Sequence, residues 1–260
     1  MSGSTSLPTF WVHYGGLPLL WLGSTMLLAS VVRAMTGWAF SIIAVPLLSL
    51  VFAPLDAVVL NILLALVVTG RNLSAFRGQV SRAVFMPLLL SGLVGTPAGY
   101  LMHLALGETG LRILMGTLVV LLALAMLLAT PRPRPLSTRA LAWAGFASGV
   151  LGGSMGIAGP PVVLLFVLTA TDMNRARATL GLGLFVVCLT ATCAFALGGH
   201  VTLPHLMLAG LALPLVLAGD RLGNFLFGRY GGSASRRLSV CLTCLVGMGC
   251  MVQGLAALRT

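Results

Sequence analysis

Apolar residues run almost unbroken from 17 to 52, with one interruption around Arg33-Ala34-Met35-Thr36-Gly37. Apolar runs follow at about 57–75, 84–104 and 111–130, each near the roughly 20 residues a helix needs to cross a bilayer. A polar, proline-rich linker, Pro131-Arg132-Pro133-Arg134-Pro135, ends this half of the chain. The same order then recurs. A second broken stretch, about 140–170, is interrupted by Gly152-Gly153-Ser154-Met155-Gly156-Ile157-Ala158-Gly159-Pro160-Pro161, and runs near 178–198, 204–222 and 236–257 complete it. The pattern predicts an all-α integral membrane protein of two repeats, each a broken segment (re-entrant or paired half-helices) plus three transmembrane helices. Its boundaries are an N-terminal segment 1–16, a first repeat 17–130, a linker 131–139 and a second repeat 140–260.

Arginine placement sets the orientation. Arg71, Arg77 and Arg82 follow the second element, and Arg132, Arg134 and Arg139 occupy the linker region. Arg175 and Arg177 follow the second broken stretch, and Arg221, Arg229, Arg236 and Arg237 precede the last run. Residues 1–16, the turn at Asp56 and the turn 198–204 contain none, and the turn at Glu108 has only Arg112 nearby. The positive-inside rule places the first group in the cytoplasm and the second outside. Both flanks of the first broken stretch then lie outside and both flanks of the second inside. Each repeat makes an odd number of crossings, so the second copy is inverted, the plan of many secondary transporters. Both termini are expected outside the cytoplasm, in a multi-pass protein of the inner (plasma) membrane.

Composition agrees with lipid as the main solvent. Only 7% of the 260 residues are charged and the mean hydropathy is +1.08, whereas a soluble domain carries about 25% charged residues. The net charge of +11 comes from arginine alone, since the chain has no lysine. A basic soluble protein would point to nucleic acid; here the arginines border apolar runs, so membrane topology accounts for them and no nucleic-acid partner is expected. The first apolar run lacks a preceding basic segment and reads as a retained membrane element, not a cleaved signal.

The two interruptions hold the candidate chemistry. Backbone leaves helix at membrane depth only where it lines a cavity or is buried in protein, because each unpaired group costs several kcal/mol. Glycine-rich breaks in both repeats therefore point to a polar cavity between them, where half-helix N-termini would offer N–H groups and positive dipole ends to an anion. The competing reading is close helix packing of the small-xxx-small kind, and Gly149 and Gly153 have that spacing. Arg33 favours the cavity. Deep in an apolar stretch it costs about 2.5–3.5 kcal/mol, no carboxylate lies in that stretch to pair with it, and a guanidinium can hold an oxyanion by two parallel N–H bonds. Snorkelling to an interface is the alternative. Arg33 is thus the expected anchor for a small anion, with Thr36, Ser154 and nearby backbone N–H groups completing the shell, and with Gly37, Trp38, Gly153, Gly156, Gly159 and Pro160 shaping it.

The run Val32-Arg33-Ala34-Met35-Thr36-Gly37-Trp38-Ala39-Phe40, continued by Ala44-Val45-Pro46-Leu47-Leu48, resembles the first signature of the sulfite exporter (TauE/SafE) permease family. That signature usually reads Arg-Gly-x-Thr-Gly-Phe-Gly before an apolar run ending in Pro-Leu-Leu. Residues Gly152 to Pro161 resemble its second signature. Ala34, Trp38 and Ala39 stand where Gly, Phe and Gly are common. The resemblance covers nearly the whole chain and implies a permease for sulfur-containing anions, sulfite or organosulfonates.

Other chemistries fit poorly. Cys241 and Cys244 form a CxxC inside an apolar run, without the second ligand pair or βαβ context that zinc or redox chemistry needs. Gly152-x-Ser154-x-Gly156 matches a nucleophile elbow, but that motif works between a strand and a helix with histidine and acidic partners. His200 and His205 lie in an outside turn with no acidic residue there to orient them. No enzyme activity, cofactor or metal site is expected; the partners are a small anionic substrate and membrane lipid. The four acidic residues, Asp56, Glu108, Asp172 and Asp220, fall at expected span ends or in connections, which argues against cation transport and a carboxylate proton relay. A non-transporting intramembrane scaffold is the alternative function.

Overall fold

A computed structural model describes residues 15–36, 38–71, 80–128, 135–169 and 173–230, together with residues 73 and 171. Among them are α1 (Leu17–Thr36), α2 (Phe40–Leu48), α3 (Pro54–Arg71), α4 (Arg82–Leu128), α5 (Thr138–Met155), α6 (Pro160–Leu168), α7 (Met173–Leu197) and α8 (Leu203–Tyr230). No strand occurs among the described residues. The expected final run, 236–257, and most of the linker lie outside them, as do residues 1–14.

The two breaks fall where the sequence interrupts its apolar runs. The first separates α1 from α2 and the second separates α5 from α6. Both trailing halves have nine residues. A nine-residue helix rises only about 13 Å, well under the roughly 30 Å of hydrocarbon, so neither α2 nor α6 crosses alone. Five helices (α1, α3, α4, α7 and α8) are long and apolar enough to do so. α4 would be about 70 Å long if straight, but its backbone leaves the helical region at Gly107 (φ +63°, ψ 177°), between the two spans expected there.

Non-helical backbone survives at depth because side chains from other helices take its carbonyls. At the second break, His103 Nδ1 lies 2.6 Å from Ser154 O. A carbonyl can only accept, so the imidazole carries its proton on Nδ1. Asn61 Nδ2 donates to Gly156 O at 2.9 Å and Ser148 Oγ to Ala158 O. Thus α4, α3 and α5 each satisfy one carbonyl. At the far end of α2, Trp21 Nε1 donates to Leu47 O (2.8 Å) and Arg112 Nη1 to Ser49 O (2.6 Å). Arg112 is the arginine that stood against the topological asymmetry, and it is used inside the protein to cap a half-helix C-terminus, where a cation is favoured.

The helix that leads into each break packs on a long helix from the other half of the chain. α5 makes its main contact with α4, α1 makes its own with α8, and α3 meets α7. Three apolar clusters result, and Trp38 packs against all three. The outer surface carries Leu20, Leu90, Val94, Leu101, Leu121, Leu211 and Phe225 exposed, while Ser30, Asn61, Thr96 and Ser154 are fully buried. That distribution is inverted relative to a water-soluble globule and matches a surface solvated by acyl chains.

Candidate functional site

A cavity of about 320 Å³ lies between the two breaks. The first break contributes Arg33, Trp38, Phe40 and Ser41, and the second Gly156, Ala158 and Gly159. Ala65, Thr69 and Arg71 of α3 form one side, Gly181, Leu184 and Cys188 of α7 another, and Leu217, Asp220, Arg221 and Asn224 of α8 a third. Gly156 and Ala158 are buried, whereas Arg71, Arg221 and Asn224 are exposed. The cavity therefore runs from the breaks to a mouth at the C-terminal end of α3.

Among the described residues, its walls carry three guanidinium groups, Arg33, Arg71 and Arg221, against one carboxylate, Asp220. Arg33 is not the unpaired charge expected from its own stretch. Its Nη2 lies 3.5 Å from Asp220 Oδ2, with the two side chains 12% and 14% exposed, and it donates to Val68 O at 3.4 Å near the end of α3. Nor is Asp220 at a span end. α8 continues past the expected limit of 222 to Tyr230, because Gly219 and Gly223 seat it on α1: a Cβ at Gly223 would lie 2.5 Å from Val31 O. The carboxylate thus sits at the cavity inside a helix, and the ground for dismissing an intramembrane carboxylate is removed. Its other oxygen, Oδ1, is buried without a hydrogen-bond partner.

Both short half-helices begin at this cavity. Phe40 and Ser41 open α2, and Gly159 caps α6. Helix N-termini carry a partial positive charge, so both dipoles favour an anion there. The two ends differ in donors. Pro160 and Pro161 have no N–H, and the Val163 N–H is already bonded to Gly159 O at 3.1 Å, so α6 contributes mainly its dipole. Asn61 joins the breaks from α3: its Nδ2 reaches Ser41 Oγ (3.2 Å) as well as Gly156 O, and its Oδ1 is buried without a partner.

The expected site residues divide. Arg33, Trp38, Gly156 and Gly159 line the cavity, and a Cβ at Gly159 would lie 3.7 Å from Trp38 O. Gly156 is left-handed (φ +69°) and a Cβ there would also meet Asn61 Nδ2 at 2.9 Å, so conformation and space both demand glycine. Gly153, Ser154 and Pro160 are not among the lining residues. A Cβ at Gly153 would overlap Thr96 O of α4, the close-packing alternative realised. Ser154 is 0% exposed, its Oγ bonded back to Val150 O at 2.7 Å, because the last turn of α5 faces α4 and not the cavity. Pro160 is buried as the first residue of α6. Gly37 and the Thr36 side chain lie outside the described structure, as do Cys241 and Cys244.

Asp220, Ser41, Thr69 and Asn224 line the cavity without having been expected there, and Asn61, which joins the two breaks, was not expected either. Asn61 and Asp220 had a legible signal, a polar side chain inside an apolar run, which is a functional hypothesis by default. His205 also differs from expectation. Asp56, from a separate turn, accepts from its Nε2 at 2.9 Å, and its Nδ1 accepts from the Thr202 backbone N–H at 3.2 Å. This pairing fixes the start of α8 far from the cavity. The family model described as sulfite exporter TauE/SafE matches residues 22–249. No curated protein and no solved structure matches the chain.

Proposed function

From the premise that the chain belongs to the sulfite exporter TauE/SafE family, a family of membrane transporters and not of enzymes, we propose that it passes sulfite or organosulfonates through the cavity between its two breaks. One observation carries this reading: two half-helix N-termini and Arg33 converge on a single cavity with three guanidinium groups and one carboxylate. The protein is multi-pass, and the arginine distribution supports an inner-membrane orientation with both termini outside and the 131–139 linker inside. Recurrence of a long half, a nine-residue half and further spans, with α1 on α8 and α5 on α4, supports two inverted repeats over 17–130 and 140–260. An uncoupled monovalent anion runs outward, since a negative interior expels it with about 2.3 kcal/mol per 100 mV.

Flux of sulfite and methanesulfonate into vesicles holding purified protein tests the proposal, and a scaffold moves neither. Arg33→Ala is expected to weaken anion binding about ten- to a hundredfold, since a charge-assisted hydrogen bond contributes roughly 1.5–3 kcal/mol. Arg33→Lys recovers part of this, keeping the charge without the bidentate fork. Unchanged affinity in both variants would remove Arg33 from the site.

A further inference from the structure

Among the described residues, Asp220 is the one acidic residue in a cavity that, on the reading above, receives an anion. Its Oδ2 holds Arg33 at 3.5 Å and its Oδ1 is buried without any donor. The charged and titratable groups facing it are Arg33 from α1, Arg71 from α3, Arg221 from its own helix and Cys188 across the cavity on α7. The carboxylate occupies the guanidinium that an anion would take. An anion that displaces it leaves two negative charges beside Arg33 in a space where both side chains of the pair are less than 15% exposed. Like charges sharing one site disfavour double ionisation, and the oxygen without a donor is open to a proton.

We infer that Asp220 is an internal competitor for Arg33 and a proton-binding site coupled to the anion, so that substrate and one proton bind together. The step balances. The anion and a proton enter from the mouth, Arg33 exchanges Asp220 for the anion, and Asp220 becomes a neutral carboxylic acid, leaving the local charge unchanged. The coupling is reciprocal: acid tightens anion binding, and anion binding draws in a proton. For a monovalent anion the loaded cavity is then electrically equal to the empty one, and direction follows the pH gradient instead of the potential. A dianion still carries one uncompensated charge, which the potential drives outward.

This inference rests on the permease reading, and the test separates the two. Methanesulfonate is the probe because it stays a monoanion across the pH range, whereas sulfite titrates. Its affinity for the detergent-purified protein is measured between about pH 5 and pH 8, with proton movement followed by a pH dye inside vesicles. One linked proton gives the parent up to about tenfold tighter binding for each unit of acidification while Asp220 titrates. Asp220→Asn, already neutral, is expected to bind at pH 8 as tightly as the parent does in acid, to vary less than about twofold with pH, and to exchange anion without moving protons. Asp220→Glu retains the pH dependence, which guards against a fold defect in the amide variant. A parent that binds methanesulfonate equally at all pH values, or an Asp220→Asn variant that keeps the parent's pH dependence, overturns the coupling and leaves the permease intact. A parent that neither binds nor moves sulfite or methanesulfonate overturns the permease reading and the coupling with it.

Discussion

The contact of α4 with α5 and that of α1 with α8 each join the helix leading into a break to a long helix from the other half of the chain, yet they are built differently. Gly92, Gly95 and Gly99 of α4 meet Gly145, Gly149 and Gly153 of α5, and a Cβ at Gly95, Gly99, Gly149 or Gly153 would overlap backbone of the opposite helix. Between α1 and α8 the approaches are mixed: Gly219 of α8 meets Leu27 O and Ser30 Cβ, Gly223 meets Val31 O and Ala34 Cβ, and Gly23 of α1 faces only the Leu215 side chain. The first contact brings backbone to backbone along its length. The second mixes backbone with side-chain contacts, and the Arg33–Asp220 pair spans it at the cavity wall. Backbone against backbone has little freedom to slide. Side chains against glycine can repack, and a charge pair beside a cavity can be broken by a ligand. α4 and α5 are thus the tighter scaffold, and α1 and α8 carry the charge pair of the cavity wall.

Gly153→Ala should have the largest effect on that contrast. Its Cβ meets Thr96 O and the Tyr100 backbone nitrogen, neither of which can yield by a rotamer change, so a loss of about 3 kcal/mol is expected, the upper end for overpacking. Thermal unfolding in detergent checks it, and a parent-like midpoint would mean that this contact is looser than described. Gly223→Ala comes next. Its Cβ would lie 2.5 Å from Val31 O, a shallower overlap than that with Thr96 O at Gly153, so about 1–2 kcal/mol is expected. Because it lies one turn from Asp220, transport should fall more than stability does; equal losses would make α1 and α8 merely a second scaffold. Asp56→Asn tests the opposite end of α8. It keeps the side chain's shape and removes the charge facing His205, so about 0–1 kcal/mol is expected with anion affinity unchanged. Gly210→Ala is the smallest: nothing lies within 4 Å of its Cβ, and stability should stay within about 0.5 kcal/mol of the parent. A large loss there would show that α8 glycines matter for some reason other than the helix contact.

The sequence by itself determined the all-helical membrane class, both interruptions and the order of the described elements. Apolar runs and glycine-proline punctuation are local signals, and the helices do end at Thr36 and Met155 and restart at Phe40 and Pro160. Arg33 and Gly156 were legible for the same reason, a charge and a glycine where hydrocarbon should favour neither. Asp220 was misread. In a sequence window an Asp-Arg pair looks like a helix end reaching water, whereas in the fold the carboxylate is solvated by a guanidinium from the other end of the chain. The division of the second motif, with Gly153 and Ser154 turned to α4 and Gly156 and Gly159 to the cavity, was likewise invisible, because both groups have the same composition and only the direction of α5 at its last turn separates them. Composition decides whether a residue can leave water. Which partner meets it there depends on contacts between segments far apart in the chain, and only the tertiary structure decides that.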